Sequence, residues 1–254
     1  MNGARTLEVP IDSIEGARLA APIATRLEVC HDLSSEGWTP KVELVQQCRE
    51  LVNGISTCTV VAMIRPALRG GSRALNVAAF TTTPRLLTAC LDEIDACANA
   101  GAHSVAVSLL TSDGFVDMDG NARLIEHARD RGLVVAFLRT FDLLVDRERG
   151  MRDVAALGFT RFITAGVLGW DASVATLEQR IAVIRRDIDN ASREATRLGR
   201  AAVEVVPAGG VRAANAKEWL TISPHLHASC RVDGVLSADE VQRLGSILDL
   251  GGVP

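Results

Sequence analysis

The sequence predicts a single-domain α/β barrel of eight parallel strands, each followed by a helix. Short apolar or alternating runs recur along the whole chain, and each is followed by a polar loop and then by a helical pattern. The length of 254 residues suits one such barrel, and no linker rich in Pro, Ser or Gly separates two halves. A dinucleotide-binding sheet would need a G-x-G-x-x-G turn after an early strand, which the chain lacks. We therefore predict a TIM (β/α)8 barrel over residues 1–254.

The first four units are marked by residues that start or stop helices. Ser13 is a predicted N-cap, Pro40 and Pro84 suit the first turn of a helix, and Gly54 suits the end of one. Residues 57–64 form an unbroken β-branched and apolar run, which is typical of a parallel strand buried on both faces. The predicted strands are 6–11, 26–30, 57–64 and 104–109, and the predicted helices are 13–21, 41–53, 84–100 and 119–131.

The second half continues the alternation, although its last strand is weak. Residues 133–138 are wholly apolar, and a long helical region covers 171–198, with a break near 187–190 as one interpretation. Ser237, with Glu240 three residues later, has the pattern of a capping box. The predicted strands are 133–138, 161–164, 202–206 and 226–228, and the predicted helices are 146–157, 171–198, 213–221 and 237–248.

The composition argues against several classes of function. The net charge is −4, whereas nucleic-acid binding needs a basic face, and 3 Trp, 6 Phe and no Tyr offer little for stacking bases. The amino terminus lacks the basic and apolar segments of a signal peptide, and no run reaches the length of a membrane span. We therefore expect a soluble, cytoplasmic protein with no nucleic-acid or membrane partner. The six cysteines show no C-x-x-C or zinc spacing and are expected to be free thiols.

Acidic and basic side chains within or just after the strands form the predicted catalytic set. Glu8 and Glu28 hold matching places in TLEVP and RLEVC, so both would point into the barrel near its axis. Buried carboxylates need cations, and Arg65 and Arg139, which end strands 3 and 5, are the predicted partners. Asp142 would orient Arg139. The alternative, that these residues form structural ion pairs or face solvent, stays open.

A glycine turn after strand 7 is the predicted anion site. Residues 207–211 include Gly209 and Gly210, where backbone N–H groups can approach a phosphate and where a helix is predicted to begin. Barrels of this kind often bind phosphate after strand 7. The alternative is a tight turn that only requires positive φ. The further candidates for anion binding are Arg69, Thr164 and His227.

Thiol and imidazole side chains near the ends of strands 2 and 8 are candidate metal ligands. Cys30 and His31 come from strand 2, and His227 and Cys230 come from strand 8. Such ligands suit copper(I) or zinc, but no spacing on one helix links them. We therefore predict no certain cofactor, with Cys30 as the candidate ligand if copper(I) binds.

The order and spacing of several motifs resemble the CutC family, which is named after copper homeostasis. The resemblance extends from about Leu7 to Ser229. It implies a TIM barrel in a cytoplasmic homo-oligomer. The motifs that carry it are LEVC (27–30), DLSSEG (32–37), MIRP (63–66), LTSDG (110–114), FLRTFD (137–142) and PAGGVR (207–212).

The same comparison indicates a divergent member of that family. The family's Phe-His-Arg corresponds to Leu138 between Phe137 and Arg139, and its first-strand Cys falls at Pro10. Trp38 stands in place of the second Gly of a Glu-Gly-Gly motif. Several of these changes fall on loops at the predicted barrel mouth, where residues set function. The resemblance therefore implies a repurposed or weakened site.

Three functions remain open from the sequence. The favoured one is an enzyme that acts on a small anionic metabolite, phosphorylated or carboxylated, by carboxylate acid–base chemistry of the isomerase, lyase or aldolase type. The second is a copper(I)-binding homeostasis protein, and the third is a non-catalytic oligomeric binding protein. Loss of the family's mouth histidine at Leu138 favours the third.

Overall fold

The computed structural model describes residues 4–55, 57–68 and 74–250. Its centre is one sheet of eight parallel strands in the order β7-β6-β5-β4-β3-β2-β1-β8. The pairing of β1 with β8 bends this sheet into a barrel, so the predicted (β/α)8 fold is confirmed. The strands are β1 (Thr6–Ile11), β2 (Arg26–Val29), β3 (Thr59–Met63), β4 (Ser104–Ala106), β5 (Val134–Phe137), β6 (Arg161–Thr164), β7 (Glu204–Pro207) and β8 (His225–His227).

The seam between β7 and β8 is held by a side chain. The hydroxyl of Ser223 donates to the carbonyl of Val205 in β7 at 2.9 Å and accepts from the N–H of His225 in β8 at 3.1 Å. In the part of the chain that the structure describes, no backbone ladder joins these two strands. The barrel is therefore nearly closed, with Ser223 bridging the last gap.

Helices cover the barrel, and some differ from their predicted form. None of the described helices is both long and apolar enough to span a membrane. A short helix, α3 (Val77–Phe80), lies between the predicted strand 57–64 and the predicted helix 84–100, and a hairpin of β9 (Arg231–Val232) and β10 (Val235–Leu236) follows β8. The helices are α1 (Ile14–Ala20), α2 (Val42–Val52), α3 (Val77–Phe80), α4 (Pro84–Asn99), α5 (Met118–Asp130), α6 (Arg147–Leu157), α7 (Leu177–Leu198), α8 (Ala216–Trp219) and α9 (Ala238–Ile247).

Two predicted helices are corrected by the structure. Helix α7 runs unbroken through residues 187–190, because the buried carboxylate of Asp187 binds the guanidinium of Arg147 at 2.5 Å and belongs to the inner face of the helix. Helix α8 covers only four residues instead of the predicted 213–221. The helix begins at Ala216, well after the glycine turn that follows β7.

The predicted capping box at α9 is only half formed. The N–H of Glu240 donates to the hydroxyl of Ser237 at 3.2 Å, as predicted. The carboxylate of Glu240 instead accepts from the N–H of Ala213 at 2.7 Å. The side chain therefore ties α9 to the loop after β7 and does not return to its own N-cap.

Polar side chains close the amino-terminal end of the barrel. Arg26 in β2 contacts Glu204 in β7 at 3.0 Å, and it also donates to the hydroxyl of Thr6 at 3.1 Å. Thr6 in turn lies 2.9 Å from the ring of His225. Because β2 and β7 are not neighbours in the sheet, the Arg26–Glu204 contact crosses the interior.

A side chain replaces a strand partner where β4 ends earlier than predicted. Asn121 on α5 is fully buried. Its Oδ1 accepts from the N–H of Leu109 at 3.0 Å, and its Nδ2 donates to the carbonyls of Leu109 and Asp117, both at 2.7 Å. The amide satisfies the backbone that leaves the sheet after Ala106.

Replacing that amide by an apolar side chain of similar volume should destabilise the fold. We expect Asn121→Leu to lower the free energy of unfolding by roughly 2–4 kcal/mol, because the backbone groups of Leu109 lose their partners in a buried place. Urea denaturation measures the loss. Asn99→Leu, at the exposed end of α4, is the matched control and should change stability by less than about 0.5 kcal/mol. Equal losses in the two variants would contradict this account.

Candidate active site at the barrel mouth

A cavity of about 310 Å³ opens at the carboxyl ends of the strands. This is the end of a (β/α)8 barrel at which catalytic residues are found. The lining includes residues from several strand ends, among them Pro10, Glu28, Cys30, Met63, Leu138, Arg139, Trp170, Gly209, Gly210 and His227.

Glu28 and His227 form the titratable pair of this cavity. His227 Nε2 lies 3.0 Å from Glu28 Oε2, and the other carboxylate oxygen, Oε1, is buried without a partner among the described residues. Burial by itself lowers the pKa of His227, but the hydrogen bond to Glu28 and the charges of Glu28 and Glu8 outweigh burial and raise that pKa. The raised pKa favours the protonated imidazole over a wider range of pH, which suits a group that takes part in proton transfer.

Below this pair, Glu8 contacts Arg161 across the barrel. Glu8 Oε2 and Arg161 Nη2 lie 2.6 Å apart, and both side chains are almost fully buried. The contact has the distance of an ion pair, while the directions of the N–H groups do not meet those of a hydrogen bond. Since β1 and β6 are not neighbours in the sheet, the pair spans the interior.

These two contacts correct the predicted partners of the carboxylates. Glu8 and Glu28 do point inward together, as predicted, but Arg161 and His227 compensate them instead of Arg65 and Arg139. Arg161 opens β6 with its side chain on the inner face. Because it lies at the start of a strand, it was not among the strand-end residues predicted for the site.

Arg65 lies on a different cavity. Its Nη1 donates to the carbonyl of Gly37 at 3.0 Å, and its guanidinium lies 4.0 Å above the ring of Trp38. Both residues line a second cavity of about 390 Å³. The arginine thus fixes the loop after β2 and does not reach the mouth cavity lining.

Arg139 lies at the mouth and is oriented by Asp142, as the sequence predicted. Arg139 Nε lies 3.1 Å from Asp142 Oδ2, and Nη2 donates to the carbonyl of Trp170 at 2.6 Å. The guanidinium also stacks 4.7 Å from the centre of the Trp170 ring. These contacts hold a cation at the edge of the cavity.

Asp142 and Thr164 support the rim from beneath and are not part of the cavity lining. Both side chains are fully buried. Asp142 accepts from Arg147 at 3.0 Å, from the Thr164 hydroxyl at 2.6 Å and from the N–H of Ala165 at 2.7 Å. This geometry keeps both side chains out of the cavity lining, so the catalytic role predicted for Asp142 would act through Arg139, and the anion-binding role predicted for Thr164 stays a prediction.

The glycine turn after β7 lies at the cavity, but a helix does not support it. Gly209 and Gly210 have φ of +68° and +88°. Because α8 begins only at Ala216 and has a single turn, the predicted contribution of a helix N-terminus is wrong. Arg180 on α7 holds the turn instead, and sequence reasoning missed it. Arg69, also predicted for anion binding, lies outside the described residues.

The candidate metal ligands do not converge. Cys30 Sγ lies in the cavity lining 3.7 Å from Met63 Sδ, whereas Cys230 Sγ lies 3.4 Å from the carbonyl of Ala228, and His31 is exposed. Burial, and then the charge of Glu28, raises the pKa of the Cys30 thiol well above its ordinary value. The thiol is therefore protonated and poorly prepared for a metal.

Carboxylate and imidazole atoms do meet deeper in the barrel. One ligating atom from each of Glu8, Glu28 and His227 lies within 4.8 Å of the others, so these side chains could reach a cation. Arg161 and the imidazole already contact the two carboxylates. A cation at this place would therefore share the carboxylates with these two side chains.

Comparison with known proteins identifies the family. The CutC family model matches residues 5–231. The chain belongs to the CutC family. A CutC protein of Vibrio atlanticus is 31% identical over 88% of this chain and 81% of its own length, and one of Xylella fastidiosa is 31% identical over 97% and 82%.

Solved structures show the same fold. A Streptococcus agalactiae protein that carries the name copper homeostasis protein CutC superposes with a TM-score of 0.73 at 22% identity, covering 89% of this chain and 98% of its own. Deoxyribose phosphate aldolase from Aeropyrum pernix superposes with a TM-score of 0.60 at 15% identity, covering 97% and 91%. At these identities the likeness concerns the barrel alone.

The buried pair in this CutC barrel should show strong coupling. We expect Arg161→Met to lower the free energy of unfolding by roughly 3–5 kcal/mol, because it leaves the Glu8 carboxylate buried without a cation. Adding Glu8→Gln should recover part of that loss. Urea denaturation of the wild type, both single variants and the double variant measures the coupling energy. Strictly additive losses would show that the two side chains do not interact.

The stability supplied by His227 should fall as pH rises. Its pKa in the folded protein is raised above the ordinary value of 6.5, so its contribution is complete below that value and is lost as pH rises through the folded pKa. The difference in unfolding free energy between wild type and His227→Gln should therefore be larger at about pH 6 than at about pH 9. A difference that grows with pH, measured by chemical denaturation, would mean that His227 is neutral in the folded state.

Proposed function

We propose that this CutC-family protein is an enzyme that transfers a proton to or from a small anionic metabolite at the barrel mouth. One observation carries the proposal: the Glu28–His227 pair, 3.0 Å apart, lines the same cavity as Arg139 and the turn at Gly209 and Gly210. An acid–base pair and an anion site at one end of a barrel are the parts that isomerases and aldolases need.

The two members of the pair have different parts in the proposed reaction. Glu28, whose side chain lines the cavity, accepts the substrate proton. His227 contacts Oε2 and offsets the change in charge, because the hydrogen bond to Glu28 and the charges of Glu28 and Glu8 raise the pKa of the imidazole and favour its protonated form. Glu8 is already compensated by Arg161, so it does not compete for the same proton.

The reaction class follows from the groups that surround this proton. A carboxylate base next to a bound anion suits abstraction of a C–H proton beside a carbonyl, and Arg139 lies at the cavity edge to stabilise negative charge. The volume of about 310 Å³ fits a small metabolite. The A. pernix neighbour is by its name an aldolase of a sugar phosphate, and it has the same fold.

Exchange of substrate hydrogen with heavy water tests the proposal before a substrate is known. The protein is incubated in D2O with a panel of small phosphorylated sugars and 2-oxo acids, and NMR follows loss of each C–H signal. We expect at least one compound to exchange. Glu28→Gln should slow that exchange by roughly 10²–10⁴-fold, since the base is removed.

Glu36→Gln is the matched control for this experiment. Glu36 lines the same cavity but is exposed at its edge, so its variant should exchange within about twofold of wild type. Exchange at the wild-type rate in Glu28→Gln would remove the carboxylate from the mechanism. Compounds that bind without exchanging in wild type would favour a non-catalytic binding protein.

Copper(I) binding is a second candidate because two sulfur atoms meet in this cavity. Cys30 Sγ and Met63 Sδ are 3.7 Å apart, and thiolate and thioether ligands select copper(I). The raised pKa of the Cys30 thiol opposes it, since binding requires loss of the proton. Titration of copper(I) against a competing chelator separates the two candidate functions. Stoichiometric binding that is lost in Cys30→Ser and kept in Cys230→Ser would favour copper binding. Unchanged copper(I) affinity in Cys30→Ser would exclude this site.

A further inference from the structure

We propose that Arg180 is a positioning residue that turns the backbone of Gly209 and Gly210 into a cradle for a phosphate group. The inference deepens the proposed function and rests on it in one respect, because it names phosphate as the anionic group of the substrate. Since α8 begins only at Ala216, no helix N-terminus supplies the positive field at this turn. Arginine side chains take its place.

Arg180 lies behind the glycine turn and binds its carbonyls. Its Nη2 donates to the carbonyls of Ala208 and Gly209 at 2.7 and 2.6 Å, and its Nε donates to the carbonyl of Ala165 at 2.6 Å. In a trans peptide the N–H points opposite to the C=O, and the described peptide bonds are trans. The N–H groups of Gly209 and Gly210 therefore point away from Arg180.

Those two N–H groups are available to a ligand. They have no acceptor among the hydrogen bonds of the described residues, and both glycines line the mouth cavity. Two successive N–H groups in such a turn form a concave site for an anion. The guanidinium of Arg139 lies beside this concave site: a Cβ built on Gly209 would be 3.4 Å from Arg139 Cζ.

The charges beneath the turn leave a cation without a buried counter-ion. Arg147 is held by both Asp142 and Asp187, and Asp142 also serves Arg139. Arg180 is 7% exposed and has no carboxylate within ion-pair distance in the described part of the chain. Burial, and then the charge of Arg139, lowers the pKa of Arg180. An anion on the far side of the turn would relieve this excess of positive charge.

Phosphate matches the donors better than a carboxylate does. A phosphate monoester carries about −1.5 to −2 charge and three acceptor oxygens. Two backbone N–H groups and the guanidinium of Arg139 supply a donor for each oxygen. A carboxylate has one oxygen fewer and half the charge, so it would leave a donor unused.

Inorganic phosphate is the probe that tests the cradle. The full chain, labelled with ¹⁵N, is titrated with phosphate and, separately, with acetate. We expect saturable shifts of the Gly209 and Gly210 amide signals with phosphate and at least about tenfold weaker binding of acetate. Absence of saturable shifts at these two amides in the wild type would overturn the proposal.

Two substitutions separate positioning from simple charge. Arg180→Lys keeps the charge but loses the planar fork that reaches three carbonyls, so it should weaken phosphate binding by roughly tenfold, as should Arg180→Gln. Arg185→Gln removes an exposed arginine from the same helix and should leave affinity within about twofold. Wild-type affinity in Arg180→Lys would overturn the positioning role. Thermal unfolding checks that each variant is folded. If the Arg180 variants do not fold, the wild-type titration still decides whether Gly209 and Gly210 bind phosphate.

The same titration distinguishes the cradle from the proposed catalysis. Glu28→Gln should bind phosphate as wild type does, because Glu28 is not part of the cradle. Phosphate binding without C–H exchange of any phosphorylated compound would support the cradle and contradict the acid–base proposal. Exchange confined to compounds that lack phosphate would overturn the cradle as a substrate site.

Discussion

The contact between Glu8 and Arg161 is the constraint on which the functional half of this barrel depends. Two carboxylates placed side by side on β1 and β2 would repel each other in a buried interior, and one of them would take up a proton. Arg161 reaches across from β6 and contacts Glu8 at 2.6 Å. Arg161 thereby compensates Glu8, while Glu28 contacts His227 at the level of the cavity. The Glu8–Arg161 ion pair in the barrel interior thus allows the Glu28–His227 pair to form at the cavity.

The fold could be predicted from the sequence because seven of the eight barrel strands have a clear local pattern and only the last is weak. The two LEV segments that contain Glu8 and Glu28 have the same alternation, so their convergence on the barrel axis was also predictable. The partner of Glu8 was not. Contacts inside a barrel depend on how far each strand is staggered along the axis, and nothing in the sequence near Arg161 records that stagger. The alternation of side chains along β6 predicts only which face of the sheet each side chain lies on.

Arg180 shows a second limit, since its hydrogen bonds are to the backbone of other residues. It belongs to α7, far in the sequence from Gly209, and its donors reach the carbonyls of two loops, those after β6 and β7. The motif around Gly209 and Gly210 suggested an anion site, and the helix expected to support it was a reasonable source of positive potential. The actual source is a buried guanidinium. Local sequence patterns predict helix starts better than they predict which distant side chain holds a turn.

The cavity wall around Glu28 and His227 includes apolar side chains at positions where this chain departs from the CutC resemblance. Leu138 stands where the family pattern has histidine, and Pro10 stands where it has cysteine; both line the mouth cavity. Met63 lies there too, so much of the wall around Glu28 and His227 is apolar. Apolar walls lower the local dielectric and strengthen the interaction between a carboxylate and an imidazolium. Loss of the family histidine therefore does not by itself argue for an inactive barrel, because the buried Glu28–His227 pair lines the same cavity as Arg139.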